Sequence, residues 1–194
     1  MTTLIQTNRS VLMVHELDND MIDLIQTCVN AVDTELDVNP EIKMYGKVCH
    51  QHRSVGFYSD TSKGYNYSST ITPSKPMHPC LRELLSYIND KFDYCYNGIL
   101  INKYEGGEDY IGKHSDDERG LDAKVGVIAI SCGAVRKFRI RYKNNGVIAM
   151  DVPTNPNHII QMAGDFQKEF THEIPMEKKI KGVRWSLTFR RHLE

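Results

Sequence analysis

The spacing of apolar residues changes character part-way along the chain. In the first half it follows the three- and four-residue repeat of a helix: Met21, Ile22, Ile25, Cys28, Val29, Val32 and Leu36 share a face behind the capping candidates Asp18, Asn19 and Asp20. Such a helix is suited to covering a sheet. Pro79 can open a second one, with Leu81, Leu84, Leu85, Ile88 and Phe92 as its apolar face. After Gly98 the repeat shortens to two, and strands are predicted over 98–102, 125–130, 138–142, 147–152, 158–162 and 185–189, with a short alternation around Phe170–Glu173. Earlier, residues 1–10 are expected to fray and 11–14 to form a short strand. Residues 37–60 carry Pro40, Gly46 and Gly56 without a sustained period and read as loops and short edge strands, and the aromatic, β-branched run 65–72 as a strand ending at Pro73. Helices early and many short strands late predict an α+β fold: a double-stranded β-helix (jelly-roll) core with N-terminal helices packed on one sheet.

Composition narrows the function classes. A chain of 194 residues, 40% hydrophobic and 25% charged, suits a single globular domain. A net charge of −1 gives no overall pull toward polyanions, so contact with nucleic acid would depend on local clusters of Lys and Arg. Cys28, Cys49, Cys80, Cys95 and Cys132 are odd in number and form no C-x-x-C pair, which argues against a disulfide framework or thiolate zinc and for a reducing, intracellular compartment, nucleus or cytoplasm. No signal-peptide pattern or membrane-length apolar run is present.

The chemistry concentrates between Asn102 and Glu118. On extended backbone His114 and Asp116 point to the same side, and His172 in its own short strand supplies a third ligand. Two histidines and one carboxylate leave coordination positions open, the ligand set of non-haem Fe(II) oxygenases, although Mn(II), Ni(II) or Co(II) fit similar donors. Oxygen chemistry at such a centre needs a co-substrate, and a 2-oxo acid requires a buried cation for its far carboxylate. Arg184 suits that task. On a strand, Arg184, Ser186, Thr188 and Arg190 face one way and Trp185, Leu187 and Phe189 the other, a polar pocket wall backed by an apolar face. Asn102 and Tyr104 likewise share a side, where an amide and a phenol complete the hydrogen bonding of a dianion.

Leu100–Tyr104, His114–Glu118, Ser131–Ala134, His172–Pro175 and Arg184–Arg190 together resemble, in this order, the AlkB family of Fe(II)- and 2-oxoglutarate-dependent dealkylating dioxygenases, in particular the animal homologues that repair alkylated DNA. The resemblance runs from about Met44 to the C-terminus. It implies iron on His114, Asp116 and His172, with Arg184 completing the catalytic set. It also implies 2-oxoglutarate contacts from Asn102, Tyr104, Arg184, Thr188 and Arg190. Residues 44–72 correspond to a nucleotide-recognition lid between an N-terminal extension (1–43) and a catalytic core (96–194). Tyr65, Asn66 and Tyr67 match the base-pocket segment, with Tyr67, and after it Tyr65, to stack on a flipped base. Asp117 and Glu118 are placed to accept from an exocyclic amine, and Tyr45, Gly46 and Lys47 match a finger that fills the gap left by an extruded base. The implied reaction is oxidative removal of N-methyl groups such as those of 1-methyladenine and 3-methylcytosine from DNA or RNA, consuming oxygen and 2-oxoglutarate and releasing succinate, carbon dioxide and formaldehyde. A monomer is expected.

The chain departs from this pattern in two places. Its first forty residues match no motif, and the loop Lys143–Gly146 is short beside the basic loop with which the duplex-acting relative grips the opposite strand. Lys178 and Lys179 remain for phosphate contact, as do Lys137, Arg139, Arg141 and Lys143 on one strand face, which an ordinary solvated face explains equally well. Two rival functions are a hydroxylase or demethylase of RNA, protein or a small molecule, and a non-enzymatic binding module.

Overall fold

The alternating strands assemble into two facing sheets. The structure, a computed structural model, describes the chain except residues 45, 68, 69, 119, 123, 157 and 194 and the side chain of residue 44. β1 (Thr2–Gln6) and β2 (Ser10–Glu16) precede α1 (Asn19–Val32) and a 3-10 turn (Asp33–Glu35). β3 (Glu41–Met44), β4 (Lys47–His50), β5 (Ser54–Tyr58), β6 (Gly64–Tyr67) and β7 (Thr70–Lys75) lead to α2 (Pro79–Phe92). There follow β8 (Gly98–Tyr104), β9 (Ile111–His114), β10 (Val127–Gly133), β11 (Lys137–Tyr142), β12 (Ile148–Pro153) and β13 (His158–Gly164). The short α3 (Phe166–Glu169), β14 (Phe170–Ile174) and β15 (Arg184–Arg190) complete the chain.

Among the described residues the large sheet runs β1-β2-β13-β10-β15-β8-β5-β7-β6 and the small one β12-β11-β14-β9, with β3-β4 a separate hairpin. Period-two alternation gives the large sheet two working faces. Ile99, Ile101, Ile128, Ile130, Ile159, Trp185, Leu187 and Phe189 bury against α1 and α2 through Ile25, Val29, Val32, Leu81, Leu84 and Ile88. Each such large side chain contributes about 1.5–3 kcal/mol on burial. The opposite face meets the small sheet through Leu12, Val127, Ile160 and Met162 against Phe138, Ile140, Phe170 and Ile174. This is the jelly-roll core with helices on one sheet. Among the described residues no helix is long and apolar enough to cross a membrane.

Several local expectations are corrected. Residues 1–10 do not fray: β1 pairs antiparallel with β2, and Leu4 and Ile5 pack on the inter-sheet core. β5 is no edge strand. It lies between β8 and β7 and is buried along its length, so its sequence shows no polar face to alternate with. The segment 65–72 is not one strand but parts of the antiparallel pair β6 and β7, and β7 runs through Pro73. Proline is tolerated there because Pro73 sits opposite Gly64 while the next residue, Ser74, donates the bond to the Lys63 carbonyl. The first helix stops at Val32 and tightens into the 3-10 turn before Leu36. The strand expected from Val125 begins at Val127.

One buried cation ties the layers together. Arg136, 1% exposed, donates to the carbonyls of Gly106 (2.9 Å), Asp109 (2.9 Å) and Pro175 (2.7 Å) and to Glu177 (3.3 Å). It thereby pins the chain before β9 to the chain after β14.

Candidate metal and co-substrate site

β9 and β14 pair antiparallel with His114 directly opposite His172. Their rings lie 4.4 Å apart between centroids. Asp116 is not on a strand. It follows β9 in a bend, held by its own N–H donating to the Gln167 side chain (2.8 Å) and by the Ser115 hydroxyl donating to the Phe170 carbonyl (3.0 Å). The bend still delivers its carboxylate to the same point. Nε2 of His114 is 3.9 Å from Asp116 Oδ1, Nε2 of His172 is 3.6 Å from Oδ2, and all three ligand atoms lie within 4.8 Å of one another.

The electrostatics suit a cation. Burial lowers the pKa of both imidazoles, that of His172 to about 3, so both are neutral and offer lone pairs. His114 Nδ1 faces the Gly112 carbonyl at 2.9 Å; a carbonyl only accepts, so Nδ1 carries the proton and Nε2 is free to ligate. Burial works against the Asp116 charge, but the Arg190 guanidinium beside it holds its carboxyl below the usual range. Asp116 Oδ2 is buried with no hydrogen-bond partner, the vacancy a divalent ion satisfies. The donor set therefore fits the metal.

Across the cavity stands β15. Arg184, Ser186, Thr188 and Arg190 line the cavity and Trp185, Leu187 and Phe189 bury toward the helices, the parity expected from sequence. Arg184 is 3% exposed, donates to Thr154 (3.2 Å) and Ser131 (2.8 Å), and lies 5.1 Å over the Tyr104 ring, while its Nη1 is buried without a partner. Arg190 hydrogen-bonds Asp116 and stacks 4.8 Å over Tyr65. Asn102 and Tyr104 line the same cavity from β8.

The other sequence candidates divide. Tyr65 lines the cavity and donates to Glu118 (2.6 Å), whose carboxyl is pushed up to about 7 by burial and then by the nearby Asp116 charge. Tyr67 meets the His114 ring edge-on at 6.0 Å between centroids. Asn66 is exposed, and Asp117 is exposed and paired with Lys143 at 2.6 Å. Gly46 and Lys47 belong to the β3-β4 hairpin, exposed and outside the cavity lining, and Tyr45 lies outside the described residues. The cations of β11 are engaged: Arg139 with Asp151, Arg141 with Glu173 and Lys137 with Glu177. Sequence reading missed Arg53, 4% exposed, which donates from Nε to Asn102 Oδ1 (2.8 Å) and lies 5.3 Å over the Tyr67 ring. Its only sequence signal is a charge beside the apolar run 55–58.

Three protein ligands on one side of an ion, with the other side open to a cavity walled by arginines, define a non-haem oxygenase type of metal centre. The match to known proteins is more specific: the chain belongs to the 2OG-Fe(II) oxygenase superfamily, whose family model matches residues 17–190. Membership carries Fe(II) and 2-oxoglutarate as the group's metal and co-substrate. The chain is similar to the human DNA oxidative demethylase ALKBH2, 29% identical over 159 residues, 78% of this chain and 61% of that protein. It is similar also to human alpha-ketoglutarate-dependent dioxygenase alkB homolog 3, 32% identical over 149 residues, 72% of this chain and 51% of that protein. The chain thus spans between half and two thirds of the length of these relatives. The structure of OsALKBH1 superimposes with a TM-score of 0.60 over 97% of this chain and 100% of that one at 15% identity, which supports the fold.

Proposed function

We propose that the protein is an Fe(II)- and 2-oxoglutarate-dependent dioxygenase that removes N-methyl groups of the 1-methyladenine and 3-methylcytosine type from nucleic-acid bases, with alkylated DNA as the principal substrate. The observation that carries this reading is the meeting of His114, Asp116 and His172 on one wall of the cavity that Arg184 lines with an unsatisfied N–H group. The names of the relatives, a DNA oxidative demethylase among them, support the substrate class.

In this reading His114, Asp116 and His172 hold the metal, which with 2-oxoglutarate and oxygen supplies the oxidising chemistry when bound. Arg184 takes the far carboxylate of 2-oxoglutarate, with Tyr104 packed against its guanidinium; Asn102, Thr188 and Arg190 complete the polar wall. Arg190 also fixes the Asp116 carboxylate. Tyr67 gives the flipped base an aromatic face and Tyr65 closes the pocket edge, while Glu118 accepts from the exocyclic amine of the base. Tyr45, Gly46 and Lys47 fill the gap in the strand, and Asn66 and Asp117 contact the nucleotide from the rim. Selectivity for a lesion that cannot pair follows from its lower unstacking cost, on the order of a few kcal/mol. The protein acts as a monomer inside the cell.

Methylated single- and double-stranded oligonucleotides incubated with Fe(II), 2-oxoglutarate and oxygen test this. Loss of one methyl mass with matching succinate is expected, and inactivity on every DNA and RNA oligonucleotide would overturn it, leaving protein or small-molecule hydroxylation. Single strands are expected to react better than duplexes. The turn after β11 is tight, with Gly146 donating back to the Tyr142 carbonyl, and leaves no long basic loop to grip a second strand.

A further inference from the structure

Arg53 is a buried cation with an unusual set of neighbours. It stands at the entry to β5, 4% exposed, and lines the cavity. Among the described residues no carboxylate lies within salt-bridge distance of it. Its neighbours are a neutral amide, Asn102, and an aromatic face, Tyr67. Burying a guanidinium without a counter-charge is costly, so stability alone does not account for it. An anion arriving in the cavity supplies the charge it lacks.

The bond to Asn102 has a directional consequence. A guanidinium has donors and no acceptor, so the amide must turn its oxygen toward Arg53. The Asn102 NH2 group is then directed away from Arg53, on a residue that lines the cavity. Without Arg53 the amide is free to flip and offer its oxygen to an incoming carboxylate, which repels it. The same guanidinium lies over Tyr67, whose ring in turn meets His114. A cation over an aromatic ring is worth about 0.5–2 kcal/mol.

We infer that Arg53 is a positioning residue that orients the Asn102 amide toward a bound dicarboxylate and steadies Tyr67, so that the co-substrate face and the base platform are organised by one side chain. This rests on the proposed assignment of Asn102 to 2-oxoglutarate and Tyr67 to the base. It goes further in naming a residue that acts through Asn102 and Tyr67 and in linking the two sites: 2-oxoglutarate, by fixing Asn102 and hence Arg53, favours the ordered Tyr67 platform, and binding of a methylated strand strengthens in return.

The test uses the full chain loaded with Mn(II), which binds without turnover. Calorimetry gives the 2-oxoglutarate Kd, and anisotropy of a labelled 1-methyladenine single strand gives the strand Kd with and without 2-oxoglutarate. Arg53→Gln is expected to weaken 2-oxoglutarate about tenfold, on the order of one charge-assisted hydrogen bond, and to abolish the tightening of the strand by 2-oxoglutarate. Combined with Asn102→Ala it should add nothing beyond Asn102→Ala alone. Arg53→Lys, still only a donor, should recover part of the loss and serves for the same cycle if Arg53→Gln does not fold. Additive losses in the double variant, or a Kd within twofold of wild type in Arg53→Gln, overturn the role of Arg53. Unchanged 2-oxoglutarate binding in Asn102→Ala overturns the parent assignment as well, so the two failures are distinguishable.

Discussion

Replacing Arg136 by methionine tests how the metal-bearing strands are held. The guanidinium is fully buried and satisfies three carbonyls, those of Gly106, Asp109 and Pro175, together with the Glu177 carboxylate. Methionine fills much of the volume but donates nothing. Each orphaned buried acceptor costs about 1–3 kcal/mol, and breaking a buried ion pair by removing one partner costs about 3–5 kcal/mol. The terms describe one guanidinium and are not additive, and Glu177 keeps the Lys137 backbone N–H at 2.9 Å, so the range for one broken buried pair is taken for the whole substitution. A loss of about 3–5 kcal/mol is expected, a large fraction of the roughly 5–15 kcal/mol that stabilises a domain. Urea unfolding measures it directly, with the midpoint falling while the slope stays constant. The carbonyls that lose their donor flank β9 and β14, so Mn(II) should also bind more weakly. A change below about 1 kcal/mol would refute the reasoning, since it would mean that the carbonyls and Glu177 find other partners.

His172→Ala removes one of three ligands: excess Mn(II) at a hundred times Kd should stabilise the wild type by about 2.7 kcal/mol in thermal unfolding and leave this variant unmoved. Gly133→Ala places a Cβ 2.3 Å from the Val183 carbonyl at a φ of +89°, beside Arg184, and should cost about 1–3 kcal/mol and weaken 2-oxoglutarate binding measured by calorimetry. Asp151 has its pKa lowered chiefly by its hydrogen bonds from Arg139. A depressed folded pKa means stabilisation that is present above the unfolded value of about 3.9 and lost as pH falls through the folded value. Because the pair is partly exposed, Asp151→Asn should cost less than about 1 kcal/mol near neutrality and nothing at the acid end of a pH series of urea midpoints.

The residues that were legible in sequence are those whose role follows from local parity. β15 is the clearest case: alternation alone separates Arg184, Ser186, Thr188 and Arg190 from Trp185, Leu187 and Phe189, and both faces are where it puts them. His114 and Asp116 were legible for a partly wrong reason, since Asp116 reaches the metal point from a bend stabilised by Gln167 and not from a strand. What local pattern hides is long-range partnership. Arg53 and Asn102 are 49 residues apart, and nothing around Arg53 indicates that its partner is an amide on the neighbouring strand. Arg136 opens a cationic run that reads as surface, yet its three carbonyl partners come from two distant loops. β5 escapes the pattern because a strand buried on both faces has no alternation to read, and β1 because a polar strand is held by its ladder with β2 more than by its own side chains.

The most direct test of the central claim is an anomalous difference map from crystals grown with Mn(II) and 2-oxoglutarate. One peak is expected at the common point of His114 Nε2, the Asp116 carboxylate and His172 Nε2, with the far carboxylate of 2-oxoglutarate on Arg184. Metal bound elsewhere, or a co-substrate that does not engage Arg184, would contradict it.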